Sequence, residues 1–389
     1  MNQYLHHAPP VSEKMTEVVI TGTGLYTPKN SISNKELVKA FNSYVDLYND
    51  ENQEGIAQGK LKALEKSSEN FIEKASGIKN RYAINKSGLL DPKRMKPDIK
   101  DRPDDEPSIQ CEMAVEASLE AMKKAKVGPE DIGMVILACS FPQRSYPAVA
   151  IEVQNALKIK EAFAFDMNVA CASATFAIQM ATDSIKSGSV KCALIVNPEV
   201  CTGHLNYKSR DCHFIFGDAC TALIIQKYDP SKNGDHSYKI LSSKSFTSFS
   251  SNIRNNFGFL NNADESGIGK PDKVFYQQGR KVFKEVVPMV SNFILKHLKE
   301  NDVNIEMVKR FWLHQANDSM NRLIGKKILG RDPLEKETPL ILDDYANTSS
   351  AGSIIAFHKY HEDLAKNDLG IICAFGAGYS VGSVLIEKL

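Results

Sequence analysis

An α/β fold, with apolar strands buried between helices, is predicted by three features of the 389-residue sequence. Short runs at residues 18–20, 134–139, 192–196 and 370–375 are apolar without polar alternation, as strands covered on both faces require. Segments with helical periodicity lie between them, so helix, break and strand recur along the chain. The stretch 228–236, rich in Asp, Pro, Ser, Lys, Asn and Gly, separates two parts of similar rhythm. It divides the chain into residues 1–232 and 233–389 and points to an internal duplication, although no repeat of sequence is visible.

In chain order, Val18-Val19-Ile20 runs into the tight turn Thr21-Gly22-Thr23-Gly24. Residues 35–75 are polar and helix-prone. Residues 85–107, where Pro, Asp and Lys dominate without periodicity, read as an exposed loop or flap. Together, residues 38–107 read as a long insertion. A helix over 114–125 is stopped by Gly128-Pro129 before the strand 134–139. The apolar segment 162–165 leads to Cys171, a helix over 176–187 and a strand over 192–196. The turn Phe216-Gly217-Asp218 opens a strand over 219–226. The second part has a strand over 238–246, a helix over 279–298 and a strand over 311–313. Helices over 318–328 and 352–364 and closing strands over 370–375 and 380–387 complete it.

A formal net charge of +1 gives no general attraction to nucleic acid. The charged runs Lys93-Arg94-Met95-Lys96 and Arg102-Pro103-Asp104-Asp105-Glu106 read either as a solvated face or as docking for an acidic partner. No apolar stretch reaches the roughly 18 residues of a membrane span. The start, Met1-Asn2-Gln3-Tyr4-Leu5-His6-His7, lacks the basic and apolar regions of a secretory signal. The eight cysteines include no CxxC pair and no metal spacing, and Cys139, Cys192, Cys220 and Cys373 lie in apolar strand-like runs. A cytoplasmic enzyme without a metal centre is expected.

Four corners carry candidate chemistry. In Asp166-Met167-Asn168-Val169-Ala170-Cys171-Ala172-Ser173-Ala174, a strand ends at a cysteine that opens a helix. Unpaired N–H groups and the helix dipole there favour thiolate, as a nucleophile needs; the alternative is a buried packing cysteine. His314, in Phe311-Trp312-Leu313-His314-Gln315-Ala316-Asn317, stands at the carboxyl end of an apolar strand, where a proton-handling side chain is well placed. Asn347, in Asp344-Tyr345-Ala346-Asn347-Thr348-Ser349, stands at another strand-to-helix corner and either caps the following helix or donates its amide to a developing oxyanion. Phe375-Gly376-Ala377-Gly378-Tyr379 lacks the lysine and spacing of a phosphate loop. Its small residues let backbone N–H groups approach a ligand, as an oxyanion hole requires. Cysteine, histidine and asparagine also serve papain-like hydrolases, so the residue types alone do not fix the reaction.

On these residues together, the chain resembles the thiolase superfamily, and within it the β-ketoacyl-acyl-carrier-protein synthase III branch of condensing enzymes. The motifs are Asn168-Val169-Ala170-Cys171-Ala172-Ser173, His314-Gln315-Ala316-Asn317 and Tyr345-Ala346-Asn347-Thr348-Ser349. Ser76-Gly77-Ile78-Lys79-Asn80-Arg81, Phe216-Gly217-Asp218, Arg280-Lys281-Val282-Phe283 and Phe375-Gly376-Ala377-Gly378 support it, so it extends over residues 18–389. The resemblance implies a duplicated five-layer αβαβα fold, a homodimer, and a tunnel that brings a phosphopantetheine arm to the cysteine. It implies no permanently bound cofactor; thioesters of coenzyme A or acyl carrier protein are substrates, and the acidic carrier protein is a partner.

The activity implied is an acyl transfer with decarboxylative Claisen condensation. An acyl thioester primer loads Cys171; malonyl carrier protein then loses carbon dioxide and attacks, giving a 3-oxoacyl carrier protein. This serves fatty acid initiation or a specialised lipid or polyketide pathway. Backbone N–H groups of Cys171 and of Gly376–Ala377 hold the first oxyanion, while His314 Nε2 and the Asn347 amide hold the enolate. Phe375 screens the thioester from water. The alternative is a non-condensing acyltransferase or thioesterase using the same acyl-cysteine. The family's tryptophan and arginine at the adenine end of coenzyme A are replaced by Phe71 and Ala75, which leaves room for an acyl-carrier donor. Phe71, Phe141 and Tyr146 are candidates for the tunnel or the dimer edge.

Overall fold

The computed structural model describes residues 16–103, 105–234, 236–258, 260–267, 270 and 273–389. The segment Met1–His7, Asp104 of the second charged run and Asp235 of the boundary stretch lie outside the described residues. The strands are β1 (Val18–Tyr26), β2 (Asn30–Ser33), β3 (Asn80–Ala83), β4 (Met134–Ala138), β5 (Phe163–Met167), β6 (Cys192–Val200) and β7 (Asp218–Lys227). They continue with β8 (Tyr238–Ser250), β9 (Ile253–Arg254), β10 (Tyr276–Gln277), β11 (Val308–Leu313), β12 (Leu369–Gly376) and β13 (Gly378–Lys388).

 Strand β12, Leu369–Gly376, pairs in parallel with β11 and antiparallel with β13. Nine strands form one sheet in the order β11-β12-β13-β8-β1-β7-β6-β4-β5.

The order within that sheet displays the duplication. In the first part β1 pairs antiparallel with β7, β7 antiparallel with β6, and β6 parallel with β4. In the second part β8 pairs antiparallel with β13, β13 antiparallel with β12, and β12 parallel with β11. The two parts join where β1 meets β8 at Val19↔Lys239 and Ile20↔Tyr238.

Strand alternation sorts the apolar side chains into layers. Met134, Ile136 and Ala138 of β4, with Ile372 of β12 and Val384 of β13, face one shared core around the helices Ser173–Lys186 and Ala351–Lys359. Val135 and Leu137 face a second core under the helices Ile109–Ala125 and Val149–Ala156. Ile371, Cys373 and Phe375 face a third under the helices Gly279–Glu300 and Asp318–Leu329. The result is helices, one half of the sheet, helices, the other half of the sheet, helices: the five-layer arrangement expected. The two central helices are rich in Ala, Ser, Thr and Gly and buried on most sides. Small side chains let them pack closely against both flanking sheets.

A fourth cluster covers the site. It contains Ile32, Phe41, Ile72, Ile78, Phe214 and Leu342, contributed by the helices Asn34–Glu51 and Glu69–Ser76, the β2–β3 pair and neighbouring loops. Much of the stretch read as an insertion is therefore part of the packed molecule. Residues 85–107 are not uniformly exposed either: Leu89 and Met95 are buried and anchor an otherwise irregular segment.

Two helix ends differ from expectation for local reasons. The helix predicted from residue 114 begins at Ile109, because the Ser108 hydroxyl accepts the Cys111 N–H at 3.1 Å. The helix predicted to reach residue 364 stops at Lys359. The Tyr360 carbonyl there accepts Arg310 Nη1 at 2.7 Å and Trp312 Nε1 at 3.0 Å. No helix among the described residues is long and apolar enough to cross a membrane.

Candidate active site

Cys171 sits in a single turn of 3₁₀ helix, Ala170–Ala172, between β5 and the central helix Ser173–Lys186. Local hydrogen bonds fix that turn. Asn168 Oδ1 accepts the Ala170 N–H at 3.0 Å, and Ser173 Oγ accepts the Val169 N–H at 2.8 Å. Ala170 is held at φ 47°, a left-handed conformation uncommon for a residue with a side chain. The end of β12 closes over the thiol. A Cβ on Gly376 would lie 2.7 Å from Cys171 Cβ and 3.1 Å from Sγ, so glycine alone permits this approach.

His314 follows β11, and its N–H donates to the Cys373 carbonyl at 2.8 Å. The imidazole is buried and meets Phe375 edge-on, with ring centroids 5.3 Å apart. Burial lowers its pKa to about 4, only partly opposed by the nearby Ser349 backbone, so the ring is neutral near pH 7. Its buried Nδ1 has no hydrogen-bond partner among the described residues.

Asn347 does not follow a strand, as the sequence had implied. It follows the short helix Leu342–Tyr345 and forms an isolated bridge with Phe216. Its N–H donates to the Ile215 carbonyl at 3.0 Å, and its own carbonyl accepts the Gly217 N–H at 3.1 Å. The side chain does not cap the next helix, which is preceded by Ser350 without a side-chain cap. Asn347 Oδ1 instead accepts the Ser349 N–H at 2.8 Å, which orients the amide and leaves its NH2 as the donating end.

Cys171, His314, Asn347, Phe375 and Gly376 line one cavity of about 380 Å³. Phe71 and Ala75 line it as well, and the Arg210 guanidinium lies 4.0 Å from the Phe71 ring centroid. Ala377 is half-buried just past Gly376 and is not on the cavity wall. Neither Phe141 nor Tyr146 lines this cavity. Phe141 packs against His204 and Phe257, while Tyr146 is 86% exposed.

The resting thiol differs from expectation. The turn and the helix dipole were expected to favour thiolate, but burial pushes Cys171 up to about 12. Ser349 Oγ, 3.3 Å from Cys171 Sγ, lowers the value by hydrogen-bonding the sulfur, but by less than burial raises it; the Glu199 carboxylate adds to the rise.

Three polar neighbours have no role assigned from the sequence, although Ser349 lies in the Asn347 motif. Ser349 touches the thiol, Ser140 Oγ lies 2.7 Å from Ser349 Oγ, and Glu199 accepts the Ser140 hydroxyl at 2.6 Å. One signal was available for Glu199: an acid within β6, a strand that is buried almost throughout. Nothing in the spacing linked it to Cys171.

Residues 165–247 match the family 3-oxoacyl-[acyl-carrier-protein] synthase III, and residues 298–388 match its C-terminal part. The β-ketodecanoyl-[acyl-carrier-protein] synthase of Pseudomonas aeruginosa is 57% identical over 351 residues, covering 90% of this chain and 100% of that protein. The β-ketoacyl-[acyl-carrier-protein] synthase III of Ehrlichia chaffeensis is 27% identical over 375 residues, covering 96% and 100%. Among solved structures, the 3-oxoacyl-[acyl-carrier-protein] synthase III of Aquifex aeolicus has a TM-score of 0.73 at 25% identity, covering 95% of this chain and 99% of that one.

Proposed function

Since the chain belongs to the 3-oxoacyl-[acyl-carrier-protein] synthase III family of the thiolase superfamily, and is thus a condensing acyltransferase, we propose that it extends a medium-chain acyl primer with malonyl carrier protein through an acyl-Cys171 intermediate. The observation that carries this reading is the convergence of Cys171, His314 and Asn347 on one cavity. Acyl transfer to Cys171 divides carbon–carbon bond formation into two easier steps. The backbone beside Gly376 lies against the thiol, where the first oxyanion develops.

Malonyl carrier protein then occupies the same cavity and loses carbon dioxide. The enolate oxygen is held by the neutral imidazole of His314 and the NH2 of Asn347, and its carbon attacks the acyl-Cys171 carbonyl. Collapse releases the 3-oxoacyl carrier protein and the Cys171 thiolate. Phe375, packed on His314, keeps water from the thioester.

The primer we infer is octanoyl. The relative at 57% identity is named for a β-ketodecanoyl product, and a decanoyl chain made by two-carbon extension begins as octanoyl. Apolar walls from Phe71, Phe214, Phe283 and Val286 suit such a chain. We also read the chain as a homodimer, because β5 is an edge strand with Phe163 half exposed. The division at residues 232 and 233 is retained as our reading of the two parts.

The test is intact-mass acylation of the full chain with acetyl, octanoyl and longer acyl groups, each on coenzyme A and on carrier protein, followed by malonyl carrier protein. Octanoyl-Cys171, carbon dioxide and 3-oxodecanoyl carrier protein are expected. Acetyl loading in preference to octanoyl overturns the primer; acyl transfer without carbon dioxide overturns condensation in favour of simple acyl transfer or hydrolysis.

A further inference from the structure

Glu199 is a carboxylate inside the protein, 1% exposed, on β6, which β4 separates from the β5 strand leading to Cys171. Its two oxygens are used differently. Oε1 accepts the Ser140 N–H at 3.0 Å, the Ser350 N–H at 3.1 Å and a short hydrogen bond from Ser350 Oγ. Oε2 accepts Ser140 Oγ at 2.6 Å, with Cys201 Sγ more distant at 3.8 Å. From Ser140 the contacts continue to Ser349 Oγ at 2.7 Å and then to Cys171 Sγ at 3.3 Å. One carboxylate oxygen is thus anchored, while the other begins an unbroken line of hydroxyls ending at the thiol.

We propose that Glu199 takes the Cys171 proton through Ser349 and Ser140 when the acyl donor arrives. The inference rests on the reading of Cys171 as acyl acceptor. Each serine hydroxyl can donate in either direction along the line, so both end states have every hydrogen bond filled. Before transfer, the thiol donates to Ser349, Ser349 to Ser140, and Ser140 to the carboxylate. After transfer, the protonated Glu199 donates to Ser140, Ser140 to Ser349, and Ser349 to the thiolate.

Electrostatics favours this route over release of the proton to solvent. Direct ionisation of Cys171 places a second anion near the one already held by Glu199, and burial penalises both. Internal transfer moves a single buried charge from carboxylate to sulfur and creates none. The titratable groups that feel the carboxylate are the thiols of Cys139, Cys171, Cys201 and Cys220.

The step balances. The S–H bond breaks, and the protons shift along the line until Glu199 Oε2 carries one. The sulfur electron pair bonds to the acyl carbonyl carbon, and the donor thiolate leaves when the tetrahedral adduct collapses. The proton returns by the same hydroxyls, and Ser349 delivers it to the departing thiolate. Glu199 and Ser140 act through Ser349 and are positioning residues.

The test is the rate of Cys171 alkylation by iodoacetamide against pH, followed by intact mass in the full chain and in E199Q, S140A and S140T, with C171A identifying the labelled site. E199Q keeps the size of the side chain but cannot accept the proton. We expect E199Q and S140A to slow alkylation at neutral pH by on the order of 10²-fold and to move its rise to higher pH, and S140T to restore the rate. A wild-type rate and profile in either E199Q or S140A overturns the relay. So does a loss in S140A that S140T fails to restore, since packing then explains it. If E199Q does not fold, the two Ser140 variants decide. Alkylation needs no acyl donor, so failure of the relay is separate from failure of wild-type acylation, which would overturn the acyl-Cys171 reading.

Discussion

Cys171 and Ser350 occupy matching corners of the duplicated fold. Each follows a residue at positive φ, Ala170 at 47° and Ser349 at 50°, and each lies just before a buried central helix. Such backbone costs on the order of 1–3 kcal/mol per residue and persists only where the surroundings enforce it. At the first corner the side chain is a thiol held against Gly376 on the cavity. At the second it is a hydroxyl directed into the buried carboxylate of Glu199. The same backbone solution thus places a thiol on the cavity in one half and a hydrogen bond to a buried charge in the other.

The sharpest way to break the comparison is to make the first corner chemically like the second. Cys171→Ser is expected to lower condensation by on the order of 10⁴-fold or more and to abolish the acyl adduct seen by intact mass. Next come the donors facing the thiol. His314→Ala is expected to reduce malonyl decarboxylation by about 10²–10³-fold while leaving Cys171 able to accept an acyl group. Separate assays of carbon dioxide release and acyl adduct divide the two steps; equal losses in both would place His314 in loading as well.

Gly376→Ala probes the close approach that distinguishes the first corner. Its methyl group meets Cys171 Cβ, so a stability loss of about 1–3 kcal/mol in chemical denaturation and slower acylation are expected. Ser350→Ala addresses the second corner. Removing a hydrogen bond to the buried carboxylate is expected to cost about 1–3 kcal/mol by the same measurement.

The smallest and broadest effect is on pH dependence. Burial lowers His204, His213, His297, His314 and His358 to about 4 and His361 to about 3. The unfolded chain takes up these protons near pH 6.5, before the folded chain does, so stability is full above that pH and falls as pH drops towards 4. Asp218, raised to about 6 by burial, and Asp166 and Glu199, also raised by burial, act in the opposite direction but are fewer than the six histidines. A melting temperature that declines from pH 7 to 5 is the expected outcome. His314 itself stays neutral over that range, so decarboxylation by the folded enzyme outlasts the loss of stability.

The strands and the corners at Cys171 and His314 were legible because fully apolar runs and the residues that end them leave a local signal. Asn347 was found as a residue but placed on the wrong kind of corner. Its partner Phe216 is remote in sequence, and a single bridge leaves no periodicity. The protonation state of Cys171 was misjudged for a related reason. A helix start is visible in sequence, whereas the desolvation that overrides it arises from Gly376 and the layers around it. Serines 140 and 349 had no signal of their own, being ordinary loop residues until the two parts come together.

The shared core around helices Ser173–Lys186 and Ala351–Lys359 has a consequence for how the molecule comes apart. Neither duplicated part owns a complete interior, because each lends a helix to a layer that both sheets cover. Heat unfolding is therefore expected to be a single cooperative event rather than two, and a backbone cut in the loop between β7 and β8 is expected to leave two pieces that remain associated.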